Sequence, residues 1–320
     1  MLFILVIGNT EIANVKGITA AGENSELIKY TPPADAEFLF YDRPRCINAI
    51  PITPSGNPTP AIITKASRNL LNFPILVIRG GSIIEPNLPY VAITSEAGRD
   101  IRKQRAITDF DKIKERARLL ADFLYKKEGE LMIGESIPGG TTTAMAVLSY
   151  LGYDAVSSSS FRENPVTIKK KVVEESLERI RGKERVDPIE ELGDPVLATI
   201  SYISFFYKGE ISLAGGTQML AVAAYLKEIG KSVDSIITTK YVVNDRSATF
   251  KETARQVGIN YKSADIDLSI SRFKGIRDYE SGIVKEGVGA GGAYFLAREK
   301  GIDNSSIVSE IDRIYDEMTK

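Results

Sequence analysis

Short apolar runs rich in branched side chains alternate along this chain with longer stretches of helical periodicity, and that alternation restricts the fold more than any other feature. Strand candidates are LFILVI from Leu2, EFLFY from Glu37, ILVI from Ile75, LMI from Leu131, ISLA from Ile211 and SIIT from Ser235. Ile113, Ala117, Leu120, Phe123 and Leu124 recur at helical spacing, as do Val172, Val173, Leu177 and Ile180. The last helix is the cleanest, with Ile307, Ile311, Ile314, Tyr315 and Met318 on one face. Asn164-Pro165 reads as an N-cap followed by proline at the first helical position. The order predicts an α/β fold, a mostly parallel sheet with helices on both faces. In such sheets ligands lie beyond the carboxyl ends of strands, so the loops after strands are where chemistry is sought.

Composition removes whole classes of function. Lys plus Arg number 41 against 42 Asp plus Glu, a net charge of −1, which argues against a nucleic-acid partner. Cys46 is the single cysteine and there is no histidine, so an internal disulfide, the standard zinc sites and every imidazole-based triad are excluded. Acid–base work falls to carboxylate, Lys, Tyr or backbone. The opening MLFILVI is stopped by Gly8-Asn9, far short of the ~20 residues of a spanning helix. It also lacks the basic start of a signal peptide, so a cytoplasmic protein without membrane contact is expected. Residues 30–90 hold most of the 14 prolines, in TPP, ITPSGNPTPA and EPNLP. Proline removes a ladder donor, so this region reads either as irregular surface connection or as a rigid pocket wall.

Four segments carry candidate chemistry. In LMIGESIPGGTTTAMAVL (131–148) a short strand runs into a Gly-rich turn and an Ala-rich helix. Gly139 and Gly140 let backbone approach a ligand, while Thr141 and Thr142 add hydroxyls near unpaired helix N–H groups, which is the make-up of a phosphate site. The P-loop pattern fails because Gly140 stands where the lysine belongs, so a monophosphate or one end of a nucleotide fits better than NTP hydrolysis. LAGGTQMLAVAAYL repeats that logic, placing Gly215, Gly216, Thr217 and Gln218 between a strand and an Ala-rich helix. SSSSFRENPVTIKKK brings four serines, Arg162 and the trio Lys169, Lys170 and Lys171 to the start of a helix, where cations oppose the dipole unless an anion lies nearby. In VKEGVGAGGAYFLA (284–297), Gly287, Gly289 and Gly292 satisfy GxGxxG, but too little chain follows for a dinucleotide unit. Glu286, ahead of that flexible turn, is a natural general base in a chain without histidine.

Taken in order, these motifs resemble the nicotinate-nucleotide–dimethylbenzimidazole phosphoribosyltransferase family, its archaeal branch above all. The bacterial Gly-Glu-Met-Gly-Ile-Gly-Asn-Thr-Thr motif is answered by Gly134-Glu135-Ser136-Ile137-Pro138-Gly139-Gly140-Thr141-Thr142, with glycine in place of asparagine. The bacterial Asp-Gly-Phe strand end is answered by Ala214-Gly215-Gly216, and Gly-Glu-Gly-x-Gly-Ala by Lys285-Glu286-Gly287-Val288-Gly289-Ala290. The resemblance implies a Rossmann-like catalytic unit over 1–320, with a small helical subdomain formed by chain-terminal segments that includes the helix of 303–320. It implies Glu286 as catalytic base and Gly139, Gly140, Thr141, Thr142 and Lys169 around the 5′-phosphate. Glu135, Gly215, Gly216 and Gly287 would lie near the ribose and nicotinate. Pro58, Thr59, Pro60 and Ser82 fall in the expected base pocket, within the 30–90 wall. The implied reaction transfers ribose 5-phosphate from nicotinate mononucleotide to a benzimidazole-type base with inversion, in a homodimer, without cofactor or metal. A transferase for another base such as adenine, and a non-catalytic nucleotide-binding protein, stand as alternatives.

Overall fold

Side chains of the first strand, β1 (Leu2–Ile7), point alternately into two buried apolar clusters: Ile4 and Val6 into one, Phe3, Leu5 and Ile7 into the other. That two-sided burial marks a strand with layers on both faces. The structure, a computed structural model, describes residues 1–19, 25–53 and 56–320. Six further strands join β1: β2 (Ile75–Gly80), β3 (Val91–Thr94), β4 (Glu130–Ser136), β5 (Glu210–Ala214), β6 (Ser235–Thr239) and β7 (Tyr261–Ala264). They form one parallel sheet in the order β3-β2-β1-β4-β5-β6-β7. The order reverses between β1 and β4, the arrangement of a doubly wound Rossmann-like sheet. The predicted α/β class is the observed one.

One layer contains the helices Phe110–Tyr125, Gly140–Tyr150, Val166–Ile180, Pro195–Phe206 and Thr217–Glu228. The other contains Thr31–Phe38, Ala61–Leu71, Ala290–Glu299 and Asn304–Thr319. The terminal helix packs on Ala61–Leu71, and its Ile307, Ile311, Ile314 and Met318 share a cluster with Phe3 and Leu5 of β1. No helix among the described residues is long and apolar enough to cross a membrane.

Several local expectations change. EFLFY from Glu37 is not a strand: Thr31–Phe38 is a helix, with Pro32 and Pro33 in its first turn, where no N–H is needed. The Glu37 carboxylate is wholly buried and accepts the backbone N–H groups of Arg45, Cys46 and Asn87, which pins two loops to that helix. The 30–90 region is therefore no continuous wall, because it contributes two helices and β2; its Pro54 and Ser55 lie outside the described residues. Asn164 caps no helix end. The helix Val166–Ile180 starts after Pro165, and the Asn164 amide donates to the Ser157 and Ser247 carbonyls instead. Phe123, placed by periodicity on the buried face, is 58% exposed. The strands β3 and β7 were not visible in the hydrophobic pattern; each is four residues long and lies at a sheet edge.

Candidate active site

The carboxyl ends of β4, β5 and β6 deliver Glu135, Gly216 and Thr239 to one corner of the sheet. A cavity of about 50 Å³ lies there. Thr141 borders it from the helix after β4, and Thr217 and Gln218 from the helix after β5. Ser158, Ser159, Ser160, Lys285 and Glu286 close it from two crossing segments. It sits to one side of the β1–β4 reversal, where the turn Glu11–Asn14 packs against the Gly139 backbone.

Glu286 is braced on both oxygens. One accepts the N–H groups of Gly287 (3.1 Å) and Gly291 (3.2 Å), the latter in the first turn of Ala290–Glu299. The other accepts the Thr239 N–H (2.8 Å) and the Thr238 hydroxyl (3.3 Å). A side chain at Gly291 would place its Cβ 2.5 Å from the Thr238 backbone and 2.8 Å from the Glu286 carboxylate, so glycine is required for this approach. Burial raises the Glu286 pKa and the four donors pull it back down. The Thr238 hydroxyl is a rotor on the longest of these bonds.

Glu135 lines the same cavity with fewer donors. Burial first, then the charges of Asp194 and Glu286, push its carboxyl up to about 8. Burial holds both carboxyls above their ordinary value, and Glu286 meets more donors that oppose the shift than Glu135 does. The Glu135 carbonyl accepts the Val288 N–H (2.8 Å), which ties the Glu286 segment to β4.

Residues 157–160 form the opposite wall, and their carbonyls are all held from behind. Lys169 donates to the Ser157 carbonyl (3.4 Å) and hydroxyl (3.1 Å) and to the Ser158 carbonyl (2.7 Å). Lys285 donates to the Ser159 carbonyl, and the Val284 N–H to that of Ser160 (3.0 Å). None of the four serine N–H groups finds an acceptor among the described residues. Lys285 also pairs with Asp245 (3.4 Å), which accepts the Ser158 hydroxyl (2.8 Å). Lys169 forms no ion pair among the described residues; burial above all, then Lys285, pulls its ammonium down to about 7. Three of these carbonyls face the two lysines and the fourth faces the Val284 N–H, while the four N–H groups stay unspent among the described residues, a composition suited to an anion.

Among the residues singled out from sequence, Glu135, Thr141, Gly216 and Glu286 line the cavity. Gly139 does not: with φ of 82° it packs on the turn after β1, where a Cβ would lie 2.9 Å from the Ala13 nitrogen. Gly140 faces the Ile137 side chain and Gly215 faces Met219, so these glycines serve internal packing. Thr142 is fully buried, its hydroxyl without a partner among the described residues. Lys169 is fully buried behind the serine segment and does not reach the cavity surface. Thr59 donates to Asp35 (2.7 Å) and the Pro58 carbonyl accepts from Tyr279 (2.7 Å), while Pro60 abuts Gly287 and so borders the Glu286 segment. Ser82 stands apart, its hydroxyl on the Ile84 carbonyl (2.7 Å) and its own carbonyl on Arg79 (2.9 Å). Thr217 and Gln218, read from sequence in the second strand-end turn, line the cavity as well, whereas sequence reasoning missed Lys285 and Asp245. Lys285 had a signal in its adjacency to Glu286, whereas Asp245 had none.

No family model matches the chain. A UPF0284 protein of Pyrococcus furiosus is 51% identical over 324 residues, covering 98% of each chain. One of Thermococcus gammatolerans is 52% identical, covering 98% of this chain and 97% of the relative. One of Saccharolobus solfataricus is 46% identical, covering 99% and 92%. Among solved structures, the nicotinate-nucleotide–dimethylbenzimidazole phosphoribosyltransferase of Thermus thermophilus aligns with a TM-score of 0.63 at 16% identity, over 98% of this chain and 82% of that one. A structure of CobT from the same organism aligns at 0.61 and 15%, over 98% and 83%. These two likenesses establish the fold, the one the motif resemblance implies. The near full-length identity to the first three proteins establishes kinship: this chain belongs to the UPF0284 family.

Proposed function

We propose that this chain is a phosphoribosyltransferase that moves ribose 5-phosphate from nicotinate mononucleotide onto a benzimidazole-type base with inversion, a step of cobamide lower-ligand synthesis. The observation that carries the reading is the single cavity on which a braced, buried carboxylate at Glu286 faces the serine anion receptor. The fold likeness to the Thermus thermophilus transferase supports it.

The chemistry asks for little more. The leaving pyridinium nitrogen is cationic in the mononucleotide, so C–N cleavage neutralises it and no acid is needed there. The incoming azole loses its N–H proton as its other nitrogen attacks, and Glu286 accepts that proton. The phosphate rests on residues 158–160 and the first turn of Thr217–Glu228, with Thr141 beside it and Lys285 and Lys169 behind the serine peptides. Glu135, Gly216 and Gly287 flank the ribose and nicotinate. Pro58, Thr59 and Pro60 form the base side, with Pro60 against Gly287. Holding two reactants in register supplies most of the remaining acceleration. A homodimer, which the motif resemblance implies, is part of the proposal and is checkable by sedimentation.

Turnover with nicotinate mononucleotide and a panel of bases, benzimidazoles beside adenine, tests the proposal and fixes the acceptor. Glu286→Gln is expected to keep the mononucleotide KM and lose ~10²–10⁴-fold in kcat, the usual share of general-base catalysis. Wild-type turnover in that variant removes Glu286 from the role. Calorimetric binding of the mononucleotide without conversion of any base would favour a non-catalytic nucleotide-binding protein.

A further inference from the structure

A second cavity, of about 110 Å³, lies between the helices Ala61–Leu71 and Asn304–Thr319. Its floor carries two cations. Lys65 is 7% exposed, lies 4.5 Å over the Phe38 ring, and spends one N–H on the Tyr41 carbonyl (2.6 Å). Arg68 stacks 4.7 Å over Phe40 and donates to the Leu39 carbonyl (3.1 Å), while its Nε is enclosed without a partner among the described residues. Neither cation forms an ion pair among the described residues. The charges of opposite sign, Asp42 and Glu317, are exposed on the rim, and Glu317 is taken by Arg313 (2.6 Å). Rim charges are screened by solvent, whereas buried unspent donors are costly until something accepts from them.

We propose that this groove is an anion site for a phosphate group, free or as the end of a phosphomonoester, held by Lys65 and Arg68. At about 110 Å³ the groove admits the phosphate and leaves any attached nucleoside outside. An anion there completes the Lys65 and Arg68 donor sets and supplies the counter-charge that burial denies them; without it, burial in the main lowers the Lys65 ammonium to about 8. The site is separate from the Glu286 cavity: no residue lines both.

Calorimetric titration of the full chain with inorganic phosphate, and separately with nicotinate mononucleotide, tests this. The expected result is a phosphate site that weakens at least ten-fold in Lys65→Gln/Arg68→Gln and persists in Lys285→Gln. An equal loss of the mononucleotide's second binding event in that double variant assigns the site to phosphomonoesters; loss for inorganic phosphate alone assigns it to the free ion. Asn69→Glu adds a negative charge at the exposed lip without touching the floor, and should weaken phosphate in the same sense if the double variant does not fold. Phosphate binding unchanged in both variants, or abolished by Lys285→Gln alone, overturns the proposal and leaves the reading of the Glu286 cavity intact.

Discussion

Glu135 and Glu286 face one cavity, and burial raises both carboxyls, while Glu286 meets more donors that oppose the shift. The consequence for stability has a definite sign. A carboxyl whose pKa is raised by folding binds its proton more tightly in the native state, so its contribution is intact below its ordinary value near 4.5 and is lost as pH rises through about 8. Glu135→Gln removes that loss. The gap between variant and wild-type unfolding free energy should open between pH 5 and 9 in the variant's favour, reaching on the order of 2–4 kcal/mol. Denaturant midpoints measured across that range check it, and parallel curves would mean that Glu135 is not held neutral. Lys169 acts in the opposite sense, its lowered pKa favouring the native state as pH rises above about 7. Taking the difference between the two proteins cancels it.

At the scale of elements, the cavity rests on joints between helices. Asp194 is fully buried. One oxygen caps Pro195–Phe206 through the Leu197 N–H (2.9 Å), and the other accepts the Thr143 hydroxyl (2.6 Å) from the helix that carries Thr141. Asp194→Ala removes the cap and frees the hydroxyl to fall back on the Gly140 carbonyl (2.9 Å), for a loss of about 1–3 kcal/mol in equilibrium unfolding. Strands buried on both faces were legible because their apolar runs are unbroken: LFILVI, ILVI and ISLA needed no partner to be recognised. The edge strands were not, since Tyr261–Ala264 mixes lysine and serine into four residues. EFLFY misled because a short apolar run fits either period, and the prolines upstream that start the helix lie outside the run. In the site, Glu286 and the strand-end turns could be read, because glycines mark where backbone must come close. Which side of a turn faces the ligand could not. Gly139 and Gly140 proved to serve packing, and the cation bordering the cavity is Lys285, with Lys169 one layer back.

At the scale of the molecule, the two apolar layers are unequal in origin. The one over Phe3, Leu5 and Ile7 joins the start of the chain and the 30–90 region to residues 237–297 and the last helix. Ile311, fully buried in Asn304–Thr319, therefore stabilises contacts at both chain ends. Ile311→Ala should cost ~2–5 kcal/mol and lower the midpoint of a single cooperative transition rather than release the terminal helix separately. An early, separate unfolding of that helix seen by hydrogen exchange would count against it.

A chamber of about 50 Å³ has room for one or two waters and none for a mononucleotide. On the proposed reaction, each round of work begins and ends with the walls parting, against the friction of the surrounding liquid. Thickening the medium with sucrose should slow the overall clock in proportion, while a sluggish acceptor base, whose bond-making is itself the bottleneck, would keep its pace.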